Sequence, residues 1–325
     1  IPFVTKEAGK VSINLYSPDG DLVKTLKSGP LPAGAHTLAW DGKDASGLLV
    51  PDESWSVVAT LNTEQGETRT DDPRQYSGGE VFENIPVSFG ESHAIHYELP
   101  RPARVLVRAG VKGGPMMRSM LNWKPRTAGS NVTRWSGFDA DRLIDLRSSE
   151  RLAVMVTAFA LPEYSIITTG NQESDYRAWK EQQPTQSKLP VNVADQQLLE
   201  RDGRRISRHF YATREEEIDP RISVRLVGDL PANAEGLPII AGAVNIRVDM
   251  HEEDIESLQQ SLFEVAFFTD FDFVSEEEQG YVPLTWRYDP GGLEPGRHIL
   301  TVNVSGFKGQ VGVKSIPFYV PETGQ

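Results

Sequence analysis

The sequence predicts an all-β protein made of three β-sandwiches in tandem, with a short, partly helical insertion before the last one. Three observations lead to this prediction. Short runs of alternating apolar and polar residues recur along the chain, Gly, Pro and Asp turn signals separate them about every ten residues, and a tryptophan-centred motif occurs twice. We expect sandwiches at residues 1–63, 85–161 and 206–325, a linker or long loop at 64–84, and a partly helical connector at 162–205.

The first sandwich shows the strand pattern most clearly. Val11, Ile13 and Leu15 alternate with polar neighbours, which is the period of a half-buried strand. Residues 17–20 (Ser-Pro-Asp-Gly) form a turn signal, because Pro presets one dihedral angle and Gly tolerates a positive φ. We expect Trp40 to anchor the core, since one buried indole removes about 150–250 Å² from water.

The same stretch resembles a known domain. It carries Val-x-Ile-x-Leu-Tyr at 11–16, Gly-x-Leu-Val-x-x-Leu at 20–26, Ala-Gly-x-His at 33–36 and Trp-Asp-Gly-x-Asp-x-x-Gly at 40–47. This pattern resembles the immunoglobulin-like (Ig-like) domain of the flagellar hook-cap protein family, a kind of module also found near the ends of many secreted bacterial proteins. The usual Gly-x-Tyr before the last strand is replaced by Glu-Ser-Trp at 53–55. The resemblance implies an Ig-like sandwich that serves as a spacer or adhesive unit, with no activity attached.

A second, diverged copy of the pattern follows at about residues 95–160. Trp-Asp-Gly-Lys-Asp at 40–44 corresponds to Trp-Ser-Gly-Phe-Asp at 135–139, and in both copies the tryptophan follows the first core valine by 29 or 30 positions. Spacing that is kept over this length indicates a repeated structural unit. We therefore expect Trp135 to anchor the second core as Trp40 anchors the first.

One loop of the second copy differs from a solvated turn. Residues 113–118 read Gly-Gly-Pro-Met-Met-Arg, which is more apolar than an exposed turn should be. Adjacent Met side chains can form an adaptable contact surface. Met116, Met117 and Arg118 are therefore candidate contacts for a partner protein. The alternative is that the two Met side chains close the end of the sandwich.

The connector breaks the β pattern. Residues 173–183 and 193–205 contain good helix formers, separated by Pro184 and Pro190, but neither has a wide apolar stripe. We expect short and mostly solvated helices that bridge two domains or contact another protein.

The connector also carries a basic cluster, which is formed by Arg201, Arg204, Arg205 and Arg208. These side chains could form ion pairs with the glutamates at 215–217 or bind an anion. Arg204, Arg205 and Trp179 are further candidate partner contacts, because Trp and Arg dominate protein interfaces. We expect Trp123, Trp179 and Tyr164 to be exposed, and as exposed aromatics they could instead stack on sugar rings.

The third sandwich follows a different plan. Clean alternation predicts strands at 222–226 and 243–248, and further strands are expected at 263–268, 298–304 and 311–320. Between positions 283 and 302, a strand that contains Trp286 is followed by a Pro-Gly turn and a long edge strand. This order is similar to another bacterial Ig-like pattern. We expect Trp286 to anchor this core.

Acidic residues in the third sandwich have two interpretations. Asp270, Asp272, Glu276 and Glu278 supply the hard oxygen ligands that calcium prefers. The twelve-residue Asp-x-Asp-x-Asp-Gly loop is missing, however, and acidic hairpin tips are common on such negative proteins. Residues 251–254 (His-Glu-Glu-Asp) present the same choice between ligands and solvated charges.

Composition limits the function further. The net charge is −13 over 325 residues, which disfavours nucleic acid as a partner, and the absence of Cys excludes disulfides and thiol chemistry. No run of about twenty apolar residues occurs, so no membrane span is predicted. Because the first residue is Ile, we expect that an N-terminal segment was removed or left out. We expect a bacterial, extracytoplasmic protein, periplasmic or on the cell surface.

Three functions remain open. The first is a non-enzymatic, exported scaffold that binds other proteins, as an accessory subunit on the outer face of a membrane-bound complex or as an appendage component. The second is a set of carbohydrate-binding accessory modules, and the third is a sandwich-fold hydrolase. No nucleophile elbow, zinc-protease motif or phosphate loop is present, and the sequence indicates no cofactor.

Overall fold

The computed structural model describes residues 1–90, 94–171, 175–183, 198–201, 204–207, 219–306 and 309–322. In these ranges almost all regular structure is β-strand, which confirms the all-β prediction. None of the helices in the described ranges has the length and apolar character needed to cross a membrane.

The first sandwich is formed by β1 Pro2–Thr5, β2 Gly9–Tyr16, β3 Leu22–Leu31, β4 Gly34–Thr37, β5 Ser54–Thr63 and β6 Thr68–Asp71. One sheet has the order β5-β2-β3, with β6 paired to β5, and β1 and β4 form a second, two-stranded sheet. Leu15, Val23 and Trp55 are buried in one core cluster on the β5-β2-β3 sheet.

The second sandwich is formed by β7 Val81–Phe82, β8 Val87–Phe89, β9 Ile95–Leu99, β10 Ala103–Val111, β11 Met116–Arg126, β12 Gly129–Thr133 and β13 Leu152–Ala160. Its order β13-β10-β11 is the order β5-β2-β3 of the first sandwich. The tryptophan loops also correspond, because Trp40 Nε1 donates to Lys43 O at 2.8 Å and Trp135 Nε1 donates to Phe138 O at 2.9 Å. The diverged repeat is therefore present in the fold.

The segment 64–84, which we expected to be a linker or long loop, extends both sandwiches. β6 continues the first sheet and β7 pairs with β13 of the second. Between them, a 3₁₀ helix at Pro73–Gln75 is held by a buried ion pair in which Arg74 donates twice to Asp72, at 2.9 Å each. The guanidinium of Arg74 also lies 5.2 Å from the centre of the Tyr16 ring.

The connector begins with β14 Ile166–Ile167 and α1 Tyr176–Glu181, followed by β15 Leu198–Arg201 and β16 Arg204–Ser207. The helix predicted within 173–183 is present as α1. The helix predicted for 193–205 is wrong in its described part, because β15 and β16 pair as antiparallel strands. In the sequence, Asp202-Gly203 stands between them, and such a pair favours hairpins over helices.

The third sandwich is formed by β17 Ile222–Val227, β18 Val244–Met250, α2 Glu252–Ser261, β19 Phe263–Thr269, β20 Asp272–Glu277, β21 Leu284–Tyr288, β22 Gly296–Gly306 and β23 Val311–Val320. Its sheets have the orders β17-β18-β21 and β20-β19-β22-β23. Helix α2 was not predicted. The acidic residues around 252–254 occupy its first turn, where negative charge stabilises the helix dipole, and Asp254 accepts 2.9 Å bonds from Arg221.

Candidate functional site

A segment from beyond the second sandwich completes the first one. We call it the strap and define it as residues 162–171 and 175–183. Tyr176 and Trp179 of α1 are buried at 4% and 5% exposure in the core of the first sandwich. The Trp179 ring lies edge-on to Trp55 with 5.4 Å between ring centres, which is a favourable aromatic geometry. The expectation that this helix is mostly solvated is therefore wrong.

Asp44, the last residue of the first tryptophan motif, connects the loop to the strap. Its Oδ1 accepts bonds from the backbone N–H groups of Ser46 and Leu48, at 2.9 Å each. Its Oδ2 accepts bonds from Trp179 Nε1 at 3.1 Å and Gln183 Nε2 at 2.9 Å. Burial raises the pKa of Asp44, but these bonds outweigh it and hold the pKa below its usual value.

Asp19, in the turn between β2 and β3, is the second acceptor for the strap. The Tyr176 hydroxyl donates to it, Lys180 forms an ion pair with it, and Ser17 Oγ donates at 2.6 Å. Burial raises its pKa, whereas the bonds from Lys180, Ser17 and Tyr176 lower it more strongly. The folded protein therefore holds the pKa of Asp19 far below its usual range.

The strap is also joined to the edge of the first sheet. β14 pairs with β5, placing Ile166 opposite Trp55 and Ile167 opposite Ser54. The Thr168 hydroxyl accepts the Trp55 indole N–H at 2.8 Å and donates to Pro51 O at 2.6 Å. This pairing extends the sheet order to β14-β5-β2-β3.

A buried ion pair joins the first and second sandwiches. Arg104 on β10 donates to both carboxylate oxygens of Glu53, at 2.6 and 3.3 Å, and to Ser54 Oγ at 3.1 Å. Both charged side chains are only 4% exposed. Glu53 stands where the hook-cap pattern usually has Gly, so this replacement supplies a contact between the two modules.

The second and third sandwiches share several polar contacts. Arg108 Nη2 donates to Asp219 at 2.8 Å, and Asn303 exchanges two bonds of 2.8 and 2.9 Å with the backbone of Met116. Gly114 lets the carbonyl of Phe271 approach closely, since a Cβ there would lie 2.5 Å from that oxygen. Phe271 itself packs against the second core.

The loop at 139–143 adds to the same junction. Asp141 accepts the Ser315 N–H at 2.6 Å and forms an ion pair with Lys314, both on β23. The Met-containing loop at 113–118 and the loop at 139–143, which follows Trp135, therefore both face the third sandwich of the same chain.

The predicted partner contacts fall into three groups. Met117 and Trp179 are buried inside the chain, at 0% and 5% exposure, so they are closed to a partner. The backbone of Met116 is bonded to Asn303, and Arg118 donates to Asp139 O at 3.2 Å. Arg204 and Arg205 belong to β16, and Arg208 and the glutamates at 215–217 lie outside the described residues.

The aromatics that we expected to be exposed are mostly buried. Trp123 and Trp179 are each 5% exposed, which contradicts that expectation, whereas Tyr164 is 71% exposed. Trp123 packs against Phe159 with 5.1 Å between ring centres. The set of three does not form a flat stacking surface for a sugar.

The three tryptophans predicted as core anchors all contact a core. Trp135 is buried within the second core, while Trp40 and Trp286 are half-buried against the first and third. In the first sandwich the fully buried indole is that of Trp55.

The predicted calcium ligands do not converge. Asp270 contacts His298, Asp272 accepts a 3.0 Å bond from Arg151, and Glu276 and Glu278 have exposed side chains. Within the described residues, no three His, Asp or Glu side chains are placed to hold a metal ion.

His298 lies near the start of β22, and its side chain contacts Asp270 at the hairpin tip between β19 and β20. Its Nδ1 is 2.5 Å from Asp270 Oδ2 and its Nε2 is 2.7 Å from Glu294 O, so both ring nitrogens face acceptors. Only the imidazolium can donate both bonds. Burial lowers the pKa of His298, but the bonds to Asp270 and to the Glu294 carbonyl raise it above its usual value.

Comparison with known proteins identifies the first module. Residues 2–65 match the FlgD Ig-like domain family. This confirms the resemblance. Two curated relatives are the basal-body rod modification proteins FlgD of Salmonella typhimurium and Salmonella typhi. The chain is 43% identical to each over 55 residues, which are 17% of this chain and 24% of theirs. The chain therefore spans about a quarter of the length of these relatives.

Solved structures with repeated β-domains are also similar to the chain. The fibronectin(III)-like modules of Clostridium thermocellum CbhA align at 11% identity and a TM-score of 0.22, over 74% of this chain and 94% of theirs. A tetra-tandem repeat from the extending region of a large adhesion protein aligns at 13% identity and a TM-score of 0.22, over 98% of this chain and 68% of its own. Scores of this size carry no argument about function.

A five-residue motif is repeated in all three sandwiches and was not recognised from the sequence. Asp-Ala-x-x-Leu occurs at 44–48 and 139–143, and Asn-Ala-x-x-Leu at 233–237. In each, the side-chain oxygen of the first residue accepts the N–H of the fifth, at 2.9, 2.7 and 2.9 Å. All three sandwiches therefore contain the same side-chain-capped loop.

Proposed function

We propose that this protein is a non-enzymatic scaffold of the bacterial envelope or of a surface appendage, where it binds other proteins. The observation that carries the proposal is the match of residues 2–65 to the FlgD Ig-like domain. FlgD is a basal-body rod modification protein. The shared module favours a role for this chain in an assembly outside the cytoplasm. Periplasm and cell surface are both compatible with it.

The contacts between modules support a scaffold. The Glu53–Arg104 pair and the Arg108–Asp219 pair fix each sandwich against the next. A scaffold must hold its binding surfaces at fixed positions, and buried, hydrogen-bonded charge pairs specify such geometry. The strap adds a third tie, because it runs from the end of the second sandwich back to the first.

Proteins are favoured over glycans as the ligands. The burial of Trp123 and Trp179 removes two of the three aromatics on which a sugar-binding role depended. Tyr164 by itself is a single exposed ring, and isolated exposed aromatics are ordinary on protein surfaces.

Cell fractionation and cross-linking test this proposal. The tagged protein, expressed from its own locus, should be found outside the cytoplasm. After cross-linking in intact cells it should co-purify stoichiometrically with an envelope or appendage protein. Recovery of the protein alone, in the cytoplasmic fraction, would contradict the proposal.

Two variants control for the geometry of the array. E53A breaks the buried pair between the first two sandwiches and should weaken capture of a partner that contacts both. E7A removes the exposed pair with Arg69, whose side chain is 60% exposed, and should leave capture unchanged. Equal capture by the two variants would show that the junction geometry is not used.

A further inference from the structure

β1 of the first sandwich and β9 of the second occupy equivalent positions. β1 pairs with β4, which leads to the first tryptophan motif, and β9 pairs with β12, which leads to the second. The registers also match, because Thr5 lies opposite Gly34 in the first sandwich and Leu99 lies opposite Gly129 in the second. A strand that pairs with β9 therefore shows where a strand could pair with β1.

The outer edges of these two strands differ. In the second sandwich, β8 pairs with the edge of β9 that faces away from β12, and Val87 of β8 packs against the second core. In the first sandwich, β4 is the one described strand that pairs with β1. We call the side of β1 that faces away from β4 the free edge. The Val4 side chain on β1 is 72% exposed, so the strand is accessible from solution.

The free edge offers backbone groups for hydrogen bonds. Ile1 and Leu38 exchange two backbone bonds, of 2.8 and 3.0 Å, on the β4 side. In an antiparallel sheet, the N–H and C=O groups of successive residues point to opposite edges, so those of Pro2 and Val4 point to the free edge. Pro2 has no N–H, which leaves Val4 as the residue that can both donate and accept there.

The side chains near the free edge define what would fit. The Phe3 ring is half-buried and stacks on His36 with 5.2 Å between ring centres. In the second sandwich, Val87 lies opposite the equivalent residue, Tyr97, which is 4% exposed. An apolar residue opposite Phe3 would cover the first core in the same way. Lys6 follows β1 directly and is exposed, so its charge favours an acidic residue three positions before the apolar one.

We propose that the free edge of β1 binds an extended segment of a partner protein, which adds to the sheet as an antiparallel strand. The segment has an apolar residue opposite Phe3, a residue other than proline opposite Val4 and an acidic residue near Lys6. In strand addition, main-chain bonds give affinity and alternate side chains give specificity. The inference names the kind of contact that the proposed scaffold makes, and it rests on that proposed function.

A labelled peptide tests the free edge on the full chain. The probe is the sequence of residues 83–90, which contains β8, with the changes N84D to face Lys6 and P86T to face Val4. It carries fluorescein, and fluorescence polarisation is the readout. We expect saturable binding to the unmodified protein. A peptide that keeps Pro at position 86 should bind about tenfold more weakly, because it cannot donate to the Val4 carbonyl.

V4P and V4A are the matched variants of the protein. V4P removes the N–H that points to the free edge and no bond to β4, so it should weaken binding about tenfold or more. V4A keeps that N–H and should bind like the unmodified protein. Unchanged hydrogen exchange at the Leu38 amide, which donates to Ile1 O, shows that V4P keeps β1 in place.

Three results of the binding experiment would each overturn the assignment. They are the absence of saturable binding, equal binding of the two peptides, and equal binding by V4P and V4A. A concentration-dependent dimer of the unmodified protein that V4P abolishes would assign the free edge to a second copy of this chain, and would overturn the partner segment. The cellular test of the scaffold proposal measures location and co-purification, so its result is independent of these.

Discussion

Trp179 donates its indole N–H to Oδ2 of Asp44 at 3.1 Å, although the second sandwich lies between the two residues in the chain. Asp44 belongs to the motif that defines the FlgD-like module, and Trp179 belongs to the strap. The bond therefore shows that this module is not self-contained here. Its core includes Tyr176 and Trp179, which follow the whole second sandwich in the sequence.

Removing the Trp179 side chain should destabilise the first sandwich. W179A leaves a cavity against Trp55 and takes one donor from Asp44, so we expect a loss of about 3–5 kcal/mol in unfolding free energy. Hydrogen exchange at the amides of β5 measures this locally. R177A, on the exposed side of the same helix, is the matched control and should leave exchange unchanged. Equal protection in W179A and R177A would contradict the role of Trp179.

The Glu53–Arg104 pair should be strongly coupled. E53A leaves the Arg104 guanidinium buried without its anion, which should cost about 3–5 kcal/mol in a urea unfolding measurement. Replacing both residues by Met should restore most of that loss, because apolar residues of similar volume tolerate burial. A double variant as unstable as E53A would show that the pair does not act as a unit.

One residue of the repeated loop is predicted to be strained. Arg142 has φ of +59°, at the position where the other two loops have Gly47 and Gly236 with φ of +88° and +78°. A left-handed non-Gly residue costs about 1–2 kcal/mol, so R142G should raise the stability of the second sandwich by about 1 kcal/mol. G47A should lower that of the first, since space is available there and only the φ is unfavourable. Thermal unfolding that shifts the other way would refute the equivalence of the loops.

His298 should make the third sandwich less stable at higher pH. Its folded pKa is raised, so its stabilising contribution is complete below about pH 6.5, the unfolded value, and is lost as the pH rises through the folded pKa. Urea unfolding between pH 5.5 and 8.5 should show this decline, and H298Q should remove it. H36Q, in the first sandwich, should retain it. An NMR titration that gives His298 a pKa below the ordinary value would contradict the prediction.

The sequence predicted the sandwiches better than the contacts between them. Alternation and turn residues are local, so Val11 to Leu15 identified a strand and the spacing of Trp40 and Trp135 identified the repeat. The strap could not be found in this way. Tyr176 and Trp179 lie in a six-residue helix, and periodicity in so short a stretch does not say which surface covers it.

The junctions were missed for a related reason. Glu53 was visible as a departure from the hook-cap pattern, but its partner Arg104 lies in another module, and one sequence cannot show which charges meet. The Asp270–Asp272 turn was interpreted as acidic ligands or solvated charges. Its role depends on Phe271, which packs against a sandwich that is distant in sequence.

The most direct test of the strap is a disulfide between β5 and β14. Ser54 and Ile167 are register partners in that antiparallel pair, so their Cα atoms are close enough for a cross-link, and the chain has no cysteine to compete. S54C/I167C should oxidise within one molecule in nearly full yield, as seen by gel mobility without reductant. The variant S56C/I167C, out of register by two residues, should not. Free thiols or only intermolecular dimers in S54C/I167C would contradict the conclusion that the strap completes the first sandwich.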